Sequence, residues 1–84
     1  MNEEYKGTVL VVDDEPANLG VLFEYLSAAD YNVLVAENGR SAIERFSRSQ
    51  PDALLLDIKM PDMDGFEVYR QLQEKELVGN TVVI

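Results

Sequence analysis

The sequence predicts an α/β fold in which an open, doubly wound parallel sheet carries helices on both faces. Strand patterns and helix patterns alternate along the 84 residues, as in chains built from right-handed strand-helix-strand crossovers. Two of the strand patterns are apolar without alternation, which is typical of parallel strands covered on both faces. We therefore predict one domain over residues 1–84 with the strand order 2-1-3-4.

The first half of the chain predicts a strand, a helix, a second strand and a second helix. Residues Thr8–Asp13 form an apolar, β-branched run, which predicts a buried strand. Over Pro16–Ala29 apolar residues recur at helical spacing, and proline is tolerated in a first helical turn. Residues Tyr31–Ala36 predict the second strand and Arg40–Ser49 the second helix. The residues expected to face the core from these two helices are Leu19, Leu22, Leu26, Ala29, Ala42, Ile43 and Phe46.

The second half predicts a third strand, a third helix and a fourth strand. Residues Ala53–Asp57 are an apolar run that stops at a carboxylate, and Thr81–Ile84 is a further β-branched run. Between them, residues Phe66–Lys75 have helical spacing. The third helix is expected to bury Phe66, Tyr69 and Leu72. Because the sequence stops within an apolar run, we expect the N-terminal two-thirds of a domain, whose open strand edge and uncovered sheet face favour self-association.

Composition excludes several kinds of site. The chain has no cysteine and no histidine, which removes disulfides, thiolate metal sites, cysteine nucleophiles, and the commonest zinc ligand and general base. Its net charge of −9 disfavours direct binding to nucleic acid. The N-terminus lacks the apolar run of a signal peptide, and no stretch is long enough to span a membrane. We therefore expect a cytoplasmic protein.

Acidic residues follow two of the predicted buried strands. Asp13 and Asp14 come at the end of the first strand, and Asp57 ends the third. Where the strand order reverses between these strands, both ends open into one crevice, so we expect the three carboxylates to converge. Protonation or a cation must relieve their repulsion, and oxygen ligands with open positions favour Mg²⁺. A carboxylate beside Mg²⁺ suits in-line phosphoryl transfer, with Asp57 as the nucleophile.

Each acidic segment alone has a simpler structural explanation. The run Asp13-Asp14-Glu15-Pro16 is a typical helix start, because acids are favoured there by the helix dipole. Residues 61–65 are a typical turn followed by a cap. Asp57 differs, because a carboxylate at the end of an apolar strand is costly unless it has a partner. The three features together, in this order and at this spacing, favour a phosphoryl-transfer site.

These segments resemble the acidic pair and the phosphoacceptor motif of response-regulator receiver domains, which act in two-component and phosphorelay signal transduction. The resemblance implies a flavodoxin-like fold, similar to that of chemotaxis regulators. It also implies a regulatory phosphoprotein that is not an enzyme beyond self-phosphorylation and self-dephosphorylation. The residues that carry the resemblance are Asp13-Asp14-Glu15, Asn18, Tyr31-Asn-Val, Ala36-Glu-Asn-Gly39, Ala42 and Leu54–Gly65.

The resemblance further implies roles for individual residues. Asp57 is expected to accept a phosphoryl group from a histidine kinase or a phosphotransfer protein. The expected cofactor is Mg²⁺, with Mn²⁺ or Ca²⁺ able to substitute. By the same resemblance Asp14 is a direct metal ligand, Asp13 acts mainly through water, and the Lys59 backbone carbonyl completes the protein ligands.

Two departures from the family and two alternatives accompany this interpretation. The family usually has glycine where this chain has Asp30, and its Ser or Thr after the fourth strand and Lys after the fifth lie outside this sequence. We therefore expect the chain as given to be incompetent to signal, with slow or undetectable phosphorylation. Haloacid-dehalogenase-type phosphotransferases also carry an Asp nucleophile, but they need a second acid at the position of Lys59. A receiver fold that binds partners without being phosphorylated is the remaining alternative.

Overall fold

The computed structural model describes residues 5–57, 60, 63–79 and 81–84, which form a four-stranded parallel sheet with three helices. The strand order is β2-β1-β3-β4, so the predicted order and the predicted α/β class are confirmed. The strands are β1 Thr8–Val12, β2 Asn32–Ala36, β3 Ala53–Leu56 and β4 Val82–Val83, and the helices are α1 Pro16–Ala28, α2 Gly39–Ser49 and α3 Gly65–Glu74.

The sheet register aligns the carboxyl ends of the three longer strands. Val12, the last residue of β1, pairs with Ala36 at the end of β2 and with Leu56 at the end of β3. The residues that follow these strands therefore leave the sheet at one edge. Asp13 and Asp57, which were predicted to end their strands, are the first residues beyond them.

Hydrophobic residues pack on both faces of the sheet. Alternate residues of β1 point to opposite faces: Leu10 and Val12 contribute to one cluster, and Val9 and Val11 to the other. Helix α1 covers the second cluster through Leu19, whereas α2 and α3 cover the first. This arrangement confirms the prediction that helices lie on both faces of the sheet. The buried residues of the larger cluster are Leu10, Val12, Ala36, Ala42, Phe46, Leu54, Met60, Val68 and Leu72.

Two residues predicted to lie in the core are exposed. Phe66 is 70% exposed, and α3 buries Val68 and Leu72 instead. Because successive helical residues are rotated by about 100°, Phe66 lies roughly opposite Val68. Ala29 is also exposed, because α1 ends at Ala28 and Ala29 is its C-cap.

The backbone at Asp30 agrees with the family's preference for glycine there. Asp30 has a φ of 71°, which lies in the left-handed region, where glycine carries no steric penalty. Its N–H donates to the Ser27 carbonyl at 3.0 Å, so the residue closes the turn after α1. Asp and Asn tolerate this conformation better than most other residues. The fold therefore accommodates Asp30 at small cost.

Within the described ranges, every helix is too short or too polar to cross a membrane. The longest, α1, has 13 residues, whereas a membrane-spanning helix needs about 20.

Candidate metal site at the carboxyl edge of the sheet

Three carboxylates meet where β1 and β3 end. One carboxylate oxygen from each of Asp13, Asp14 and Asp57 lies within 4.8 Å of the others. Asp13 and Asp57 are half-buried, and Asp14 is exposed. The structure thus brings together the three acids that the strand ends were expected to bring together. Lys59, the fourth residue of the predicted site, lies outside the described residues.

Backbone hydrogen bonds across the sheet determine where two of these acids lie. The Asp57 N–H donates to the Val12 carbonyl at 3.0 Å, and the Asp13 N–H donates to the Ala36 carbonyl at 3.2 Å. Both bonds continue the parallel ladder beyond the last paired residues. The acids after β1 and β3 are therefore adjacent because the strands are adjacent.

The Asp13 carboxylate is oriented by the start of α1. Its Oδ1 accepts a hydrogen bond from the Glu15 N–H at 3.0 Å, and its Oδ2 accepts one from the Asn18 side-chain amide at 3.2 Å. Glu15 is the N-cap of α1 by backbone conformation, but its side chain makes no capping bond. Asp13 therefore also helps to begin α1, as expected for an acidic residue at the start of a helix. Each carboxylate oxygen has a second lone pair, so Asp13 can still face a cation.

The segment after Asp57 also contains the predicted cap. The Asp64 side chain accepts a hydrogen bond from the Glu67 N–H at 2.8 Å and is the N-cap of α3. Asp64 thus begins a helix, and among the described residues it is not part of the acidic cluster. In this part of the chain Asp64 caps a helix, whereas Asp57 belongs to the acidic cluster.

Repulsion between the three carboxylates favours binding of a cation to this cluster. Two unit charges 4.8 Å apart repel by about 1 to 3 kcal/mol at the dielectric constants of water and of a protein surface. Carboxylate oxygens are the ligands that Mg²⁺ and Ca²⁺ prefer. The donor set therefore fits a hard divalent cation held by oxygen alone.

Asn18 has a role that reasoning from the residues alone did not assign. It was noted only as part of the family resemblance, whereas the structure shows its amide bonded to Asp13. The sequence feature that could have indicated this contact is the position of Asn18 in the first turn of a helix that begins soon after the acids. The contact of Gly39 with Met63 was missed as well, and the sequence contains no signal for it.

Comparison with known proteins relates this geometry to one family. A family model described as "Response regulator receiver domain" matches residues 9–84. The transcriptional regulatory protein TrcR of Mycobacterium tuberculosis is 40% identical to the chain over 76 residues, which are 90% of this chain and 30% of TrcR. The chain therefore spans less than a third of the length of this relative.

Solved structures share the fold at moderate sequence identity. The N-terminal domain of a response regulator receiver protein from Methanoculleus marisnigri JR1 is 32% identical with a TM-score of 0.88, covering 93% of this chain and 63% of that one. The response regulator TrrA of Thermotoga maritima in complex with Mg²⁺-BeF is 39% identical with a TM-score of 0.77, covering 82% and 60%. A structure of histidine kinase ThkA in complex with TrrA also matches, with 36% identity, a TM-score of 0.80 and coverage of 90% and 64%.

Proposed function

Because this chain belongs to the receiver-domain family of response regulators, we propose that Asp57 accepts a phosphoryl group beside a divalent cation bound at Asp13 and Asp14. The family is regulatory, and the proposed donor is a histidine kinase or a phosphotransfer protein. The observation that supports the proposal most is the convergence of three carboxylates within 4.8 Å at the ends of adjacent strands. The proposed cellular location is the cytoplasm.

The transfer itself is a substitution at phosphorus. A carboxylate oxygen of Asp57 attacks the phosphorus of a phosphohistidine, a P–O bond forms, and the P–N bond breaks with its electron pair leaving on the imidazole. The product is an acyl phosphate. The cation, when bound, neutralises charge on the phosphoryl oxygens. Asp57 suits the acceptor role because it follows a central strand and its N–H is bonded to Val12.

The two acids after β1 differ in their surroundings, which supports different roles. Both Asp13 oxygens already accept hydrogen bonds, whereas in the described part of the chain the Asp14 carboxylate accepts none. Asp14 is therefore proposed as the direct ligand and Asp13 as a ligand mainly through water. The Lys59 carbonyl stays a prediction by resemblance.

The spacing of the three carboxylate oxygens is compatible with Mg²⁺ and with larger divalent ions. Two oxygens bound to one Mg²⁺ lie at most about 4.2 Å apart, and two bound to Ca²⁺ at most about 5 Å. The carboxylate oxygens here lie within 4.8 Å of one another. Binding of Mn²⁺ or Ca²⁺ is part of the proposal. The structure of TrrA with Mg²⁺-BeF, 39% identical to this chain, supports the choice of Mg²⁺.

The competing function is a receiver fold that binds partners without being phosphorylated. Beryllofluoride, which mimics a phosphoryl group on a carboxylate, separates the two functions. We expect it to bind the chain only when Mg²⁺ is present, and not to bind Asp57→Asn. The matched control is Asp30→Asn, which removes the same charge far from the acidic cluster and is expected to bind as the wild type does. Absence of Mg²⁺-dependent binding to a version extended through the family's last strand and helices, which carries the Ser or Thr and the Lys, would favour the unphosphorylated binding module.

A further inference from the structure

Gly39, the first residue of α2, packs directly against Met63, which lies six residues after Asp57. A β-carbon at Gly39 would lie 2.7 Å from Met63 Cβ, 2.9 Å from Met63 Sδ and 3.1 Å from Val68 Cγ2. Carbon atoms in favourable contact lie about 3.5 to 4.0 Å apart. Gly39 is buried, so this position has no room for any side chain.

A side chain at Gly39 would have to move a backbone segment. The nearest atom, Met63 Cβ, is bonded to the backbone, so rotation of the Met63 side chain cannot move it away. The α2 side of the contact is held in place, because the Asn38 side chain caps the helix by accepting from the Ser41 N–H at 2.8 Å. The displacement would therefore fall mainly on the backbone at Met63.

Met63 lies close to the acidic cluster along the chain. Asp57 is six residues before it, and the chain between them passes through Met60, which is 8% exposed and belongs to the buried core. Because Met60 is buried, a shift of the Met63 backbone has only a short stretch of chain over which to be absorbed before Asp57.

We propose that Gly39 is a positioning residue for the cation site. Its missing side chain lets Met63 pack against α2, and this packing holds Met63 in place six residues after Asp57, which keeps the Asp57 carboxylate near Asp13 and Asp14. The inference rests on the proposed function, because it requires a cation at these acids. Gly39 acts through Met63 and does not itself contact the cation.

Mg²⁺ calorimetry on Gly39→Ala tests the proposal, with Gly20→Ala as the matched control. Gly20 is also a helical glycine, but no atom lies within 4 Å of a β-carbon there. We expect Gly39→Ala to weaken Mg²⁺ binding about tenfold, as for other groups that orient metal ligands, and Gly20→Ala to bind as the wild type does. Wild-type affinity in Gly39→Ala would overturn the proposal. Failure of the wild type to bind Mg²⁺ would instead overturn the proposed function, before any variant is compared.

A second set of variants separates positioning from loss of the fold. In the double variant Gly39→Ala/Met63→Gly both crowded Met63 atoms are gone and only the 3.1 Å approach to Val68 Cγ2 is left, so its Mg²⁺ affinity is expected to lie close to that of Met63→Gly alone. If the losses of Mg²⁺ affinity in Gly39→Ala and Met63→Gly add in the double variant, Gly39 does not act through Met63. If Gly39→Ala does not fold, Met63→Ala tests the same contact by removing the Sδ atom without adding any. We expect weaker Mg²⁺ binding there too, and unchanged binding would overturn the proposal.

Discussion

The Asp57 N–H donates a hydrogen bond to the Val12 carbonyl at 3.0 Å, which joins the acid after β3 to the residue that precedes Asp13. The parallel backbone ladder therefore brings the backbones of the two acids side by side. Asp14, one residue further on, completes the cluster. A cation bound there contacts residues from two strands and should stabilise their junction.

Asp14→Asn should weaken Mg²⁺ binding by at least about tenfold, because it removes the proposed direct ligand's charge. Asp14 is exposed, so the metal-free variant should be as stable as the wild type or slightly more stable, since repulsion within the cluster falls. Calorimetry measures the Mg²⁺ affinity, and urea unfolding measures the stability of the metal-free variant. Equal Mg²⁺ affinity in Asp14→Asn and in the control Asp30→Asn would refute the assignment of Asp14 as a ligand.

Phe46→Ala should destabilise the fold by about 3 to 5 kcal/mol, because Phe46 is 0% exposed and lies within the larger core. A loss of this size is comparable to the whole stability of a small domain. Phe66→Ala is the matched control: the same change at a residue that is 70% exposed should cost within about 0.5 kcal/mol. Urea unfolding of both variants tests the packing, and equal losses would contradict it.

The exposed pair formed by Glu67 and Arg70 should titrate at low pH. The hydrogen bond from Arg70, followed by that from Gln71, lowers the pKa of Glu67 from 4.5 to about 2. The pair therefore stabilises the folded state above pH 4.5, and this contribution is lost as the pH falls from 4.5 toward 2. Because the two side chains are 37% and 54% exposed, the effect on stability should be small.

NMR titration of the Glu67 carboxyl carbon measures this pKa directly. Arg70→Gln should raise the midpoint toward 4.5, because it removes the principal cause of the shift. A midpoint that does not move in Arg70→Gln would show that this pair does not lower the pKa.

Self-association through β4 stays a prediction, and the structure offers a surface for it. Val82 and Ile84 are 58% and 72% exposed, and in the described sheet β4 pairs on one side only, with β3. A second copy of the chain could pair with this edge. Sedimentation velocity should show concentration-dependent association that Val82→Lys abolishes, because lysine disfavours edge pairing. The control Val21→Lys changes a residue that is 54% exposed on α1, and an equal effect there would argue against β4 pairing.

The sequence predicted the strand order and the convergence of acids because both follow from apolar runs and crossover handedness. It predicted the buried face of α3 only in part, because Leu72 is buried as expected but Phe66 is exposed. Phe66, Val68 and Tyr69 are all apolar or aromatic, so the helical period fits two faces, and packing against the sheet selects Val68. The contact of Gly39 with Met63 could not be predicted either, because it depends on the distance between two residues that are far apart in sequence.

The most direct test of the shared cation site is paramagnetic broadening of backbone amide signals by Mn²⁺. A single site at the three acids predicts that the amides of Asp13, Asp14 and Asp57 broaden first, at low Mn²⁺, and that excess Mg²⁺ restores them. The amides of Gly7 and Tyr31, at the opposite edge of the sheet, should stay sharp at the same Mn²⁺ concentration. If broadening begins elsewhere, or spreads evenly over the surface of this chain of net charge −9, the three carboxylates do not form one cation site.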